Sequence, residues 1–208
     1  MDKDVEIYVA RILYPVKVLG PGKRIGIWLA GCEHHCDGCS NPELWGKKQK
    51  YKTNLESVML MIKSLVKGRH IDGFTITGGD PFFQVDALYE LLDEIEHIND
   101  DILVYTGYSY EDIKHTHSVL LDKIAVLIDG KYEREKNDGS FLRGSSNQRI
   151  IILKEKYKKL YSEYIESGVN EIQNFAASDG IVSVGIHRSE YQAELNTIIQ
   201  KKGLKANE

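Results

Sequence analysis

All three cysteines of this 208-residue chain lie within eight consecutive positions, in the segment G-C-E-H-H-C-D-G-C. Cys32, Cys36 and Cys39 have the spacing C-x3-C-x2-C. Thiolates are the ligands that soft metals and iron–sulfur clusters select. Three sulfurs are one too few for a closed four-thiolate site, so a metal centre held by them would keep an open position, as catalytic centres do. The spacing therefore predicts a metal centre that does chemistry.

Two histidines inside the cysteine loop leave a second interpretation open. His34 or His35 would complete a Cys3His set, which is a common structural zinc site. On spacing alone the loop is compatible with an iron–sulfur cluster, with a zinc site and with three free cysteines. If the sulfurs hold a cluster, we expect the histidines to be polar neighbours that tune its potential through hydrogen bonds and charge.

Four segments around and beyond the cysteines carry further motifs. They are Gly20-Pro21-Gly22 and residues 40–45 (S-N-P-E-L-W), 77–81 (T-G-G-D-P) and 143–149 (R-G-S-S-N-Q-R). Together with the cysteine spacing, these segments resemble the radical S-adenosylmethionine (SAM) superfamily. Within it they resemble the activating proteins of anaerobic ribonucleoside-triphosphate reductase, which are glycyl-radical enzyme activases. The resemblance covers roughly residues 20–153.

The resemblance implies a [4Fe–4S] cluster on Cys32, Cys36 and Cys39, with its fourth iron chelated by the methionine part of SAM. It implies an oxidoreductase in which the reduced cluster cleaves SAM to methionine and a 5′-deoxyadenosyl radical. That radical would take a hydrogen atom from a backbone glycine of a partner, the anaerobic ribonucleotide reductase. A flavodoxin- or ferredoxin-type protein would supply the electron.

Residues beyond the cysteines are candidates for binding the cofactors. Glycines let main chain approach a ligand closely, and the 77–81 segment resembles the glycine-rich SAM segment of the superfamily. The alternatives are a plain strand-to-helix turn at the glycines, an Asx turn at Asp129 and a solvated loop over residues 143–149. The candidates are Asn41, Thr77, Gly78, Gly79, Asp80, Thr106, Asp129, Arg143 and Asn147.

The elements that position these residues alternate between strand and helix. Apolar runs predict strands over 24–30, 73–77, 102–105, 124–128 and 149–153, with a further β-leaning segment over 6–19. Three-to-four spacing of apolar residues predicts helices over 54–67, 85–98 and 110–121. Such alternation favours βαβ units and a mostly parallel sheet. The α/β fold class, with the resemblance, implies a partial (β/α) barrel of the radical SAM type, open on one side.

The candidate residues follow successive predicted strands. The cysteines, Gly78-Gly79-Asp80, Thr106-Gly107 and Asp129-Gly130 each come directly after one of them. Ligands of open α/β sheets bind outside the carboxyl ends of the strands. We therefore expect these residues to meet at one edge of the sheet.

The last quarter of the chain lies beyond the resemblance. We expect residues 1–153 to form the radical SAM domain and 154–208 to be a C-terminal extension packed on it. The pattern predicts a helix over 154–167, a hairpin from 171–175 and 181–186, and a helix over 189–201. The segment 172–187 is open to several interpretations: a cover on the barrel edge, a dimer contact, or a reader of a different partner.

The composition of the chain argues against several classes of protein function. A net charge of -4 and a pI near 6.0 argue against nucleic acid as the partner. No apolar run approaches the roughly 20 residues of a membrane span, and the N-terminus lacks the plan of a signal peptide. Three clustered cysteines argue against a disulfide framework and favour a reducing cytoplasm. A homodimer is compatible with the sequence, as are the same chemistry on another glycyl-radical enzyme or a peptide, and a non-enzymatic metal-binding module.

Overall fold

A seven-stranded sheet organises the protein. The structure is a computed structural model in which residues 5–177, 180–188, 191, 194, 197 and 201 are described. The strands are β1 (Glu6–Val16), β2 (Arg24–Leu29), β3 (Lys52–Asn54), β4 (Gly73–Gly78), β5 (Ile102–Tyr105), β6 (Val126–Asp129) and β7 (Arg149–Ile152). Their spatial order is β3-β1-β2-β4-β5-β6-β7.

The four central strands confirm the predicted parallel sheet. β2, β4, β5 and β6 pair in parallel, and β1, β3 and β7 add antiparallel edges. Sequence reasoning missed β3, a three-residue strand of polar residues that pairs with the start of β1. The mixed α/β class is therefore shown, with parallel order confined to the centre of the sheet.

Within the described part of the chain, four helices cover one face of this sheet. They are α1 (Leu55–Val66), α2 (Val85–Glu96), α3 (Tyr110–Thr116) and α4 (Ser118–Lys123). Asn54 caps the N-terminus of α1 by accepting a hydrogen bond from the Ser57 amide at 2.9 Å. The apolar stripes of these helices pack against one set of alternating strand residues, among them Ile25, Ile27 and Ile76.

The single helix predicted over 110–121 is wrong. His117 has φ -142° and ψ 41°, which ends α3, and α4 begins at the next residue. The His117 amide donates to the Ile113 carbonyl, so the chain turns there instead of continuing. Threonine and histidine are weak helix formers, and Thr116 and His117 meet at this break.

The C-terminal extension covers the opposite face of the sheet with helix α5 (Lys158–Ser167) and a hairpin of β8 (Ile172–Ala177) and β9 (Gly180–Gly185). Tyr161 of α5 is fully buried, and its hydroxyl donates to Asp101 Oδ1 at 2.6 Å. Burial raises the pKa of Tyr161 well above its usual value, so the hydroxyl remains a donor. Asp101 also pairs with the fully buried guanidinium of Arg24 at 3.0 Å. This buried cluster fixes α5 to the sheet.

The β8–β9 hairpin is anchored to the end of β1. Val184 is 3% exposed and packs with Val16, Leu19 and Trp28. Gln173 accepts from the Lys17 amide at 2.9 Å and donates to the Pro15 carbonyl at 2.7 Å. The predicted hairpin is confirmed, although Ser178 and Asp179 of its turn lie outside the described residues.

The helix predicted over 189–201 lies largely outside the described residues. The four described positions within it, Tyr191, Glu194, Thr197 and Lys201, are helical. Among the helices that the described residues form, none has the length and apolar character needed to cross a bilayer.

Candidate functional site

The three cysteines line one cavity of about 170 Å³ at the carboxyl ends of the parallel strands. We call it the cysteine cavity. Other candidates reach it from the next two strands: Thr77, Gly79 and Asp80 from the end of β4, and Thr106 from the end of β5. The structure therefore brings together seven of the twelve predicted site residues, as expected for strand-end residues of a parallel sheet.

Main-chain hydrogen bonds hold the cysteine loop at the end of β2. The Gly31 amide donates to the Leu44 carbonyl at 2.7 Å, and the Cys32 amide to the Trp45 carbonyl at 2.9 Å. Two amides also donate to sulfur: His34 N to Cys32 Sγ and Asn41 N to Cys39 Sγ, each at 3.4 Å. Hydrogen bonds to ligand sulfurs help to set the reduction potential of an iron–sulfur cluster.

The chemistry of the donor set fits a cationic metal centre. Burial raises the pKa of the Cys32 and Cys36 thiols, because desolvation disfavours the thiolate form. A metal centre reverses this, since a coordinating thiol is deprotonated by the cation it binds. Among the described residues, no three His, Cys, Asp or Glu side chains converge closely enough to hold a single metal ion. Cysteines that each bind a separate iron of one cluster do not need to converge on one point.

Trp45 gives a second observation on whether the cysteine cavity fits a bound metal centre. Its side chain lines the cysteine cavity, and its ring lies 4.8 Å from that of His35. The indole Nε1 is buried and has no hydrogen-bond partner among the described residues. A buried donor without a partner is costly, so this side chain carries an unmet hydrogen-bond requirement next to the cysteines.

The glycine segment after β4 touches the cysteine loop directly. Gly79 donates to the Leu29 carbonyl at 2.7 Å, and the Asp80 amide donates to the Gly31 carbonyl at 2.7 Å. A Cβ on Gly79 would lie 2.4 Å from the Gly31 carbonyl oxygen, closer than any side chain can approach. The absence of a side chain at Gly79 thus allows the two loops to meet.

The Asp80 carboxylate joins three segments of the site. The residue is 1% exposed. Oδ1 accepts from the Phe82 amide at 2.9 Å and the Thr106 hydroxyl at 3.0 Å. Oδ2 accepts from the Gly107 amide at 2.7 Å and from His34 Nε2 at 3.0 Å. Both oxygens are therefore engaged within the protein, and the carboxylate ties the cysteine loop to the ends of β4 and β5.

The other candidates lie outside the cysteine cavity. Asn41 lines an adjoining cavity of about 120 Å³, which we call the hairpin cavity because residues 183–187 form part of its wall. Asp129 accepts from the Tyr110 amide at 2.7 Å and pairs with Arg149. Gly78, Asp129, Arg143 and Asn147 line neither cavity.

Arg143 and Asn147 bind neighbouring main chain. Arg143 Nη1 donates to the Gln148 carbonyl at 3.0 Å, and Asn147 Nδ2 donates to the Lys131 carbonyl at 2.8 Å. The 143–149 segment reaches the cysteine cavity through Gly144 and Gln148 instead. Gln148 Nε2 donates to the Gly130 carbonyl at 2.8 Å, which joins this segment to the end of β6.

Sequence reasoning missed Ser40, Tyr132 and Ile186 as lining residues of the cysteine cavity. Ser40 adjoins Cys39, and Tyr132 follows β6 by three positions, so adjacency to the cysteines and the strand-end rule could have found them. Ile186 follows β9 and carries no sequence signal for a site. His34, expected either as a zinc ligand or as a polar neighbour of a cluster, lines the cavity and forms a hydrogen bond with Asp80.

Comparison with known proteins gives two results. The family described as a 4Fe-4S single cluster domain matches residues 18–151. The chain is also similar to curated proteins named anaerobic ribonucleoside-triphosphate reductase-activating protein. It is 34% identical to that of Enterobacteria phage T4 over 148 residues, which are 66% of this chain and 90% of the phage protein. It is 33% identical to that of Escherichia coli (strain K12) over 145 residues, 66% of this chain and 94% of the relative.

The Vibrio cholerae protein of the same name is 34% identical over 147 residues, which are 66% of this chain and 93% of that protein. The family match contains all three cysteines and every predicted site residue. It ends before α5 and the β8–β9 hairpin.

Proposed function

The chain belongs to the family of anaerobic ribonucleoside-triphosphate reductase-activating proteins and carries a 4Fe-4S single cluster domain, and from this premise we propose that it generates the glycyl radical of that reductase. The observation that carries the proposal is the cysteine cavity. Three thiols line it together with residues at the ends of β4 and β5. The cluster and SAM, when bound, supply one-electron cleavage of SAM and a radical that takes a hydrogen atom from a glycine of the reductase.

The residues of this chain then bind, orient and exclude water. Cys32, Cys36 and Cys39 hold the cluster, and their number leaves one iron for SAM. Thr77 and the main chain of Gly78 and Gly79 bind the amino group of SAM, a role supported by Thr77 and Gly79, which line the cysteine cavity. Thr106 and Asn41 border the bound cofactor.

The buried polar residues around this site have a supporting role in the proposal. Asp80 holds the cysteine loop against the glycine segment through hydrogen bonds with four residues. Asp129, Arg143 and Asn147 support the loops that carry Gly130, Gly144 and Gln148 to the cavity.

The type of barrel, the domain boundaries, the electron donor, the compartment and the oligomeric state are also part of the proposal. We infer that the sheet is the partial (β/α) barrel of the radical SAM type, which four parallel strands with helices on one face support. Residues 1–153 would form this domain and 154–208 an extension packed on it, which the Tyr161–Asp101 contact supports. We also propose that a flavodoxin- or ferredoxin-type protein donates the electron and that the protein works in a reducing cytoplasm. A homodimer is compatible with this proposal.

The proposed function is tested by anaerobic reconstitution with iron and sulfide, followed by reduction and addition of SAM and the reductase of the same organism. We expect a glycyl radical in the electron paramagnetic resonance (EPR) spectrum of the reductase. Cys36→Ser is the matched control, and it should lose cluster, SAM cleavage and radical together. SAM cleavage without radical transfer would instead support another substrate, and a zinc-loaded protein without SAM cleavage would contradict the proposal.

A further inference from the structure

The hairpin cavity lies directly beside the cysteine cavity. Its wall includes Ser40 and Asn41, which follow the last cysteine, and Thr77 and Tyr105 at the ends of β4 and β5. Ser40, Thr77, Tyr105 and Ile186 line both cavities. A group in the hairpin cavity would therefore contact whatever occupies the cysteine cavity.

The opposite wall comes from the C-terminal hairpin. Residues 183–187 line the cavity without interruption. Because successive side chains of a strand point to opposite faces, five consecutive lining residues present main chain as well as side chains. Among the described strands, β9 pairs with β8 alone. A strand with an unpaired edge offers main-chain donors and acceptors to an extended peptide.

The size and polarity of the cavity suit peptide main chain. Its volume of about 120 Å³ is below the roughly 150 Å³ of an apolar cavity that accepts benzene. Ser40, Asn41 and Thr77 give its wall hydroxyl and amide groups. Ser183 and His187 add a hydroxyl and an imidazole, which lie 3.3 Å apart, and the Ser183 hydroxyl also lies 2.8 Å from that of Tyr191. Buried peptide groups require such partners, since an unpaired one is costly.

The hairpin lies outside the region that the family model matches. The family match ends at residue 151, and the alignment with the phage T4 relative covers 90% of that protein but 66% of this chain. The hairpin wall of the cavity is therefore supplied by a part of the chain that the family match does not cover.

On the basis of the proposed function, we propose that the hairpin cavity receives the glycine-bearing main chain of the reductase. The segment enters in extended form between the β9 edge and the residues that follow Cys39. A glycine has no side chain to exclude it from so small a space. Hydrogen transfer requires the reacting atoms to lie within about 3–3.5 Å, and an occupant of a cavity that adjoins the cysteine cavity can meet this condition.

The test places a bulky side chain in the hairpin cavity, on the wall that β9 forms. Ser183→Phe alters a residue that lines the hairpin cavity and not the cysteine cavity. Ile181→Phe, on the same strand and 75% exposed, is the matched control. Full-length proteins with reconstituted cluster are compared for SAM cleavage without reductase, for glycyl radical on the reductase, and for the dissociation constant of the complex with the reductase.

We expect Ser183→Phe to cleave SAM like the parent protein while the rate of glycyl radical formation falls about 100-fold, as for a misplaced reactant. Its complex with the reductase should also weaken, and Ile181→Phe should change neither quantity. His187→Ala is the milder second variant, and it should weaken the complex with SAM cleavage intact.

Radical formation at the parent rate by Ser183→Phe and His187→Ala would overturn the proposal. So would a loss of iron or SAM cleavage in His187→Ala, because the hairpin cavity would then belong to the cofactor site. Failure of the unaltered protein to form any glycyl radical would instead reject the proposed function itself.

Discussion

His34 Nε2 lies 3.0 Å from Asp80 Oδ2, and this hydrogen bond joins the cysteine loop to the glycine segment. Both side chains are nearly buried, with 6% and 2% exposure. The same carboxylate accepts from Gly107 and Thr106 at the end of β5. The geometry of the site thus depends on one carboxylate that contacts three segments.

Replacement of this carboxylate should loosen the site. Asp80→Asn keeps the size of the side chain but offers one acceptor oxygen where the carboxylate offers two. With hydrogen bonds to buried charged groups worth about 1.5–3 kcal/mol each, we expect the free energy of unfolding to fall by about 3 kcal/mol. Denaturant unfolding of the apoprotein measures the loss, and iron content after reconstitution reports the effect on the loop.

The control for this change is Asp86→Asn, because Asp86 is an exposed acid in the first turn of α2. It should cost only a few tenths of a kcal/mol through the helix dipole. Equal stability and iron content in the two variants would show that Asp80 does not hold the loops together.

The contact between Gly79 and Gly31 predicts an effect of a single methyl group. Gly79→Ala would place a Cβ 2.4 Å from the Gly31 carbonyl oxygen. Overpacking of this kind costs about 1–3 kcal/mol, and the strain falls on the residue before Cys32. We expect lower iron occupancy, measured by metal analysis after reconstitution. Gly46→Ala is the matched control, since a Cβ there meets nothing within 4 Å. Full iron occupancy in Gly79→Ala would show that the loops can part without loss of the site.

The buried Tyr161–Asp101 hydrogen bond predicts that α5 contributes to global stability. Tyr161→Phe removes a donor to a buried carboxylate at 2.6 Å, so we expect a loss of about 1.5–3 kcal/mol in unfolding free energy. Tyr157→Phe removes a similar donor to Asp100, whose side chain is 33% exposed, and should cost less. Urea unfolding of both variants checks the order, and a greater loss for Tyr157→Phe would contradict it.

The ion pair between Arg149 and Glu111 predicts a pH dependence. Hydrogen bonding to Arg149 lowers the pKa of Glu111 from 4.5 to about 2. Between these values the unfolded chain binds the proton more readily, so stability rises with pH and is lost as pH falls toward 2. Glu111→Gln should flatten the change in unfolding midpoint between pH 5 and pH 3 at low salt.

The control for the pH experiment is Glu56→Gln, which removes an exposed glutamate of α1. Its pH dependence should match that of the parent protein. Because an exposed pair is screened by salt, the difference between Glu111→Gln and the parent should shrink at high ionic strength. If the unfolding midpoint of Glu111→Gln changed with pH as steeply as that of the parent protein, the Arg149–Glu111 pair would not be the source of the pH dependence.

The sequence best predicted the site residues that lie at the carboxyl ends of the parallel strands. Cys32, Thr77, Asp80 and Thr106 meet because parallel strands share one carboxyl edge. The role of Asp80 within the protein was not predictable, since its partners His34 and Gly107 are 46 and 27 positions away.

Two other features escaped sequence reasoning for physical reasons. The break at His117 depends on a local backbone turn, which the apolar spacing of residues 110–121 does not reveal. The placement of Ile186 beside the cysteines depends on how the hairpin packs through Val184. Long-range packing of this kind has no periodic signal in the chain.

The EPR spectrum of the reduced protein, recorded before and after addition of SAM, tests the central claim most directly. Three cysteines that leave one iron open predict the signal of a reduced [4Fe–4S] cluster, and SAM binding at that iron should change its shape. A protein that shows no cluster signal, or a signal that SAM leaves unaltered, would contradict an open iron in the cysteine cavity.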